Sequence, residues 1–149
     1  MKKLYTLFLL VIASVSFGQT IYSENFGTPA ANTTVANYIT GTAPATFQNA
    51  SPIAYSGTAD VRATSVSNIY AGASGGGNVF FTTATAGVFF QIDGINTSAY
   101  SSANIQMTFG YLTVSFATVQ LVVEYSTNAS AATPTWTPIT FSNNTSTNF

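Results

Sequence analysis

Catalysis needs side chains that move protons, attack an electrophile or hold a metal ion, and this chain of 149 residues offers few of them. It has three Lys or Arg, four Asp or Glu, and neither His nor Cys. The Ser-His-Asp and Cys-His arrangements for nucleophilic catalysis are therefore unavailable, and zinc lacks its usual ligands. A carboxylate pair for glycoside hydrolysis would have to come from Glu24, Asp60, Asp93 and Glu124. Nothing in their spacing singles out such a pair. The glycine-rich run GASGGGN (72–78) has the texture of a phosphate loop but no Lys, and the VFF after it reads as a strand, not as a helix N-terminus. It is read as a connection whose glycines supply positive φ.

Each charged residue has a reading of its own. Glu24 lies in IYSENF, where strand alternation places Tyr22, Glu24 and Phe26 on one face. A carboxylate on an aromatic face is costly to bury unpaired, so a structural Ca²⁺ is one expectation, since this ion takes hard oxygen ligands. A solvent-exposed edge strand is the other. Asp60 and Arg62 flank Val61 and are expected to form a weak local ion pair on a polar face, with a sugar-binding pair as the lesser reading. Glu124, on the face of Gln120 and Val122, is expected in solvent. In VFFQIDGINTSAY (88–100), Phe90 and Ile92 point one way and Phe89, Gln91 and Asp93 the other. Asp93-Gly94 is a turn signature, so Asp93 is expected to cap local backbone donors and not to catalyse.

Aromatic residues, at 14%, are the remaining resource. Exposed Trp and Tyr faces stack on the apolar faces of sugar rings while amides bond the hydroxyls. Trp136, Tyr55, Tyr70 and Tyr100 read as lying in or near loops and are the candidate platform, with Asn96, Thr97 and Ser98 beside Tyr100. The phenylalanines are expected in the core.

The elements that must position these residues read as β. Ile105, Met107, Phe109 and Tyr111 alternate with polar residues or glycine, and Val119, Leu121, Val123 and Tyr125 repeat the pattern. Shorter strands are expected at Ile21–Phe26, Val79–Thr83, Val88–Asp93 and Trp136–Phe141, with a weaker one near Val61–Thr64. Pro138 assigns its strand to an edge or a bulge. No helical repeat stands out beyond the N-terminus, so the expected fold is all-β, a sandwich or jelly roll.

Charged residues make up only 5%, against about a quarter in ordinary domains, so there is no basic footprint for nucleic acid. Lys2 and Lys3 precede an apolar run, Leu4 to Val15, with small Ser16 and Gly18 before Gln19. Residues 1–18 read as a cleaved signal peptide, too short to span a membrane, which leaves Arg62 as the lone cation of the mature chain. Lack of Cys favours a bacterial exported protein, in which the six Asn-x-Ser/Thr sites are chance. The polar ending SNNTSTNF (142–149) carries no closing strand, so residues 19–149 are expected to be one sandwich domain truncated at its C-terminus, the first part of a longer protein.

The order ENFG, GGGNVFF, FFQIDGINTSAYSSANIQMTFGY, VQLVVEYSTN and WTPITF resembles the galactose-binding-like jelly rolls near the N-terminus of large secreted proteins of gliding gram-negative bacteria. The resemblance covers about residues 21–141. It implies export by a type IX secretion system. It also implies a first-strand acid that shares a structural Ca²⁺ with an Asp on a terminal strand. Glu24 matches the first position, while the terminal strand has no counterpart here. The function expected is a non-catalytic module for carbohydrate binding or adhesion, with extracellular polysaccharide or cell-surface glycan as partner. The alternatives are an ancillary domain of a secreted hydrolase whose catalytic part follows residue 149, or a spacer without a ligand.

Overall fold

The computed structural model describes residues 18–63, 76–82, 87–101, 104–111 and 121–141. Their strands are β1 (Thr33–Thr34), β2 (Ala54–Gly57), β3 (Asp60–Arg62), β4 (Asn78–Phe80), β5 (Phe90–Asp93), β6 (Glu124–Tyr125) and β7 (Thr137–Pro138), with one short helix, α1 (Val35–Ile39). Every pairing is antiparallel, in the sheets β1-β3-β4, β2-β5 and β6-β7. The fold is all-β.

The core lies between the first two sheets and α1. Val35, Tyr38, Phe47, Tyr55, Ala59 and Val61 are buried, and Phe26, Ile53, Val79, Val88, Phe90 and Ile92 close over them. Strand alternation accounts for the inward set. Tyr55 faces Ile92 and Gly57 faces Phe90 across β2-β5, so one face of that sheet is apolar. The other face carries Ala54, Ser56, Gln91 and Asp93. Opposite orientations for Phe90/Ile92 and Phe89/Gln91/Asp93 were expected from the sequence, and over Phe90–Asp93 the register agrees.

Helix α1 was not foreseen. Thr34 Oγ1 accepts a hydrogen bond from the backbone N–H of Asn37 (3.2 Å), the N-cap contact, while Val35 and Tyr38, three apart, bury the same face. At five residues the helix is too short for its apolar period to register over a longer window.

Several strand expectations need correction. Residues 21–26 form no ladder; Phe26 takes φ +58° and Gly27 φ +55°, which bends the chain out of extended geometry. Residues 105–111, the clearest alternation in the chain, also form no ladder, and Ile105, Met107 and Phe109 are exposed. Alternation prepares a segment for a sheet, but a strand exists only where a partner satisfies its backbone groups. Of Val119–Tyr125, the residues before 121 lie outside the described set, and the strand there is Glu124–Tyr125 alone. It pairs with Thr137–Pro138, and Pro138 sits opposite Glu124 in a two-stranded ribbon, where a residue without an N–H is tolerated. The phenylalanines divide: Phe47 is buried, while Phe81, Phe89 and Phe109 are exposed.

Candidate functional site

Among the described residues the charged side chain with the most hydrogen bonds is Glu24. Its Oε1 accepts from the backbone N–H groups of Asn25 (3.1 Å), Phe26 (2.8 Å) and Gln48 (3.3 Å). Its Oε2 accepts from Gln48 N–H (3.0 Å), Asn49 Nδ2 (3.2 Å) and the Tyr55 hydroxyl (2.6 Å). The left-handed bend at Phe26-Gly27 gives the chain the curvature that brings two successive N–H groups onto one carboxylate oxygen. Residues 47–49 enter from the loop before β2, and Tyr55 from β2 itself.

The tyrosines form a directed chain. A phenol has one proton, and Tyr55 gives its own to Glu24, so Tyr22 donates to Tyr55 Oη at 3.3 Å. Asn49 Nδ2 also donates to Tyr55 Oη (3.2 Å) and to the Ser23 carbonyl (2.8 Å). Beneath this polar layer the Tyr55 ring stacks on Phe47, with centroids 4.0 Å apart and planes at 13°.

Tyr55 is therefore not a ligand platform. It belongs to β2, is 8% exposed, and spends its ring on the core and its hydroxyl on Glu24. The shell of Glu24 likewise does not suit a resident calcium. Its two oxygens face the positive ends of N–H and O–H groups, whereas Ca²⁺ needs oxygen lone pairs. Gln48 Oε1 and the Ser23 carbonyl, oxygens that share donors with this cage, already accept from Asn25 N–H and Asn49. The burial cost that suggested a metal is met by protein donors, three of them backbone N–H groups.

The phenols carry a pH signature. Burial first, then the hydrogen bond it donates to Tyr55, raises the Tyr22 pKa far above the ordinary value near 10. Burial, then the bond to Glu24, raises Tyr55, and burial, then the charge of Glu24, raises Tyr38. The unfolded chain loses these protons at a lower pH than the folded one, so it binds fewer protons above about pH 10. The stabilisation is fully present below that pH and is lost as pH rises toward the folded values. In an alkaline titration followed at the phenolate absorbance band, these three tyrosines should ionise only as the protein unfolds. Their ionisation with native circular dichroism intact would contradict this.

The other predicted residues are dispersed. Tyr100 donates its hydroxyl to Gln19 Oε1 (2.9 Å), and Asn96 Oδ1 accepts from Ser98 N–H (3.0 Å), an Asx turn that shapes the loop following β5. Trp136 is 38% exposed and lies next to β7; among the described residues no ring contact or hydrogen bond joins it to Tyr100 or Asn96. Tyr70 lies outside the described residues. Arg62 pairs with Asp60 at 3.3 Å, as expected, and also lies 3.4 Å over the Phe80 ring, a cation–π contact from the neighbouring strand. Asp93 departs from its expected part. Both its oxygens accept from Gln91 Nε2 (2.9 Å each), and the turn is made by Gly94 at φ +86°. A side chain at Gly94 would collide with the Pro52 carbonyl.

The residues that sequence reasoning missed are Phe47, Gln48 and Asn49 under and around Glu24, and Gln91 beside Asp93. Only the Asp93–Gln91 pair had a local signal, two polar residues two apart on a strand. Among the described residues no helix is long and apolar enough to cross a membrane. No family model, curated protein or solved structure matches the chain.

Proposed function

We propose that the chain is an exported, non-catalytic β-sandwich module that binds carbohydrate and through it mediates adhesion. The observation that carries this reading is how its acids are used. Glu24 is enclosed by five donors, Asp60 is paired with Arg62, and Asp93 is held by Gln91. Glu124 is exposed on β6, and beside it and the remaining lone pairs of Asp93 the surface offers chiefly neutral hydrogen-bonding groups and exposed aromatic rings, the two components of sugar recognition. The apolar run at Leu4–Val15 supports export, and the likeness to galactose-binding-like jelly rolls supports the sandwich and the type IX route.

The test is retention of the purified protein on a panel of immobilised polysaccharides and on a glycan array. Saturable binding to at least one glycan is the expected result. Absence of binding to all of them, together with loss of no adhesion phenotype on deletion, would reject the proposal.

A further inference from the structure

We infer that the outward face of the β2-β5 sheet, formed by Phe89, Gln91 and Asp93 with Ser56 opposite, is the strip on which a neutral glycan chain lies. The inference rests on the carbohydrate-binding reading above and names the site for it.

Three features set this strip apart from an ordinary solvated sheet face. First, Phe89 is 45% exposed although its neighbours Val88 and Phe90 both pack on the core. An aromatic ring held out of the core between two partly buried residues presents a flat apolar surface to the solvent. Its backbone is held on both sides: the carbonyl accepts from Thr58 N–H (3.0 Å) and Ala59 N–H (3.2 Å), and its N–H donates to Thr58 Oγ1 (3.3 Å).

Second, Gln91 and Asp93 are locked to each other through one nitrogen, Nε2, equidistant at 2.9 Å from both carboxylate oxygens. The bond fixes both planar groups and consumes little of their capacity. Gln91 Oε1 has no hydrogen-bond partner among the described residues, and each carboxylate oxygen has a further lone pair to offer. A pair of fixed planar acceptors suits adjacent hydroxyls on a sugar ring, which are donors at a similar spacing. Third, the facing residues are small. Ala54 lies across from Asp93 and Ser56 across from Gln91, both exposed, which leaves room above the sheet for a ligand.

The strip is also preorganised. The opposite face of the same strands is tied into the core through Tyr55, Phe90 and Ile92, so its outward side chains start from a rigid backbone. From Phe89 to Asp93 the strand rises about 13 Å, room for a short run of sugar rings with one stacked on Phe89 and another over the Gln91–Asp93 pair. Charge selects the occupant. The strip holds a carboxylate and no cation, so it attracts hydroxyl hydrogens and repels uronate, sulfate and phosphate groups.

Affinity electrophoresis of the purified protein through gels containing xylan, galactomannan or mixed-linkage β-glucan, with polygalacturonate as the anionic control, tests this. Retardation is expected in at least one neutral gel and not in polygalacturonate. Phe89→Ala and Asp93→Asn should each weaken it by about tenfold with the melting temperature unchanged, while Trp136→Ala leaves it intact. Retardation that survives both strip variants and disappears with Trp136→Ala would overturn the strip and leave the carbohydrate reading standing. Equal retardation by polygalacturonate would overturn the neutral strip. Retardation by none of the polysaccharides would remove both readings.

Discussion

Replacing Glu24 by Gln should cost about 3 kcal/mol of folding stability, a fall of about 10 °C in melting temperature for a chain of this size. The number follows from the donor count. Six contacts from five donors converge on the two oxygens, and hydrogen bonds to a charged acceptor contribute about 1.5–3 kcal/mol apiece before non-additivity. Glutamine keeps one oxygen and turns the other into a donor. With its nitrogen at the Oε1 position it would face three backbone N–H groups that cannot turn away. With its nitrogen at the Oε2 position, Tyr55 can adapt by accepting, while Gln48 N–H keeps only its longer contact to Oε1 (3.3 Å). Asn49 Nδ2 keeps the Ser23 carbonyl but is set against the new amide hydrogens. The second arrangement should prevail, at the cost of the charge on the acceptor, the shorter Gln48 contact and an N–H set against an N–H at Asn49. Asp60→Asn is the internal control and should change stability by well under about 1 kcal/mol, because its partner Arg62 is part-exposed and also supported by Phe80.

The same experiment distinguishes a donor cage from a cation site. If N–H and O–H groups alone neutralise Glu24, the melting temperature of the unaltered protein is the same in EDTA and in millimolar Ca²⁺. A drop in EDTA that Glu24→Gln abolishes would show that the carboxylate turns toward a cation, and that the donor set of this structure is an alternative state.

What the sequence made legible, and what it hid, divides along the range of the interactions. The two faces of β5 could be read because period-2 alternation is a local property: Phe90 and Ile92 are apolar and evenly spaced, and their partners on β2 only confirm the side they take. The ion pair of Asp60 and Arg62 was readable for the same reason, being two residues apart on one strand. The cage around Glu24 was not. Its donors lie 1, 2, 24, 25 and 31 residues away, and no local pattern announces that Gln48 and Tyr55 will meet it. The aromatic face noticed at Tyr22 and Glu24 is there, and the bulk that surrounds the carboxylate comes with a phenol donor, Tyr55. Tyr55 reads from the sequence as lying in or near a loop, in a stretch that holds Ser51, Pro52, Ser56 and Gly57, whereas cross-strand pairing to Ile92 makes it core. Residues 105–111 show the converse: a flawless alternation with no ladder, because pairing depends on a partner that alternation does not specify.

Phe47 is where the polar cage and the core depend on each other, and Phe47→Ala should be the most damaging single truncation, about 3–5 kcal/mol. Its ring stacks on Tyr55 at 4.0 Å, takes the edge of Tyr38 at 5.0 Å and 89°, and lies 5.7 Å from Phe90 and 6.2 Å from Phe26. Four rings from four separate stretches of chain thus lose their common neighbour at once. Residues this rigidly placed cannot collapse to fill the gap, so the cavity term adds to the lost transfer energy. Tyr55 then loses the surface that sets its ring plane, and its hydroxyl loses the 2.6 Å contact with Glu24. For that reason the two sites should couple. Once Phe47 is Ala, Glu24→Gln should cost at least about 0.5 kcal/mol less than it does alone. Phe47→Leu, which keeps apolar volume but no ring, should recover about half of the loss. Urea denaturation of the two single variants and the double variant measures all three numbers. Strict additivity would mean that Tyr55 is held by β2 alone, and a Phe47→Ala cost below about 1 kcal/mol would mean that the aromatic cluster is not the centre of this core.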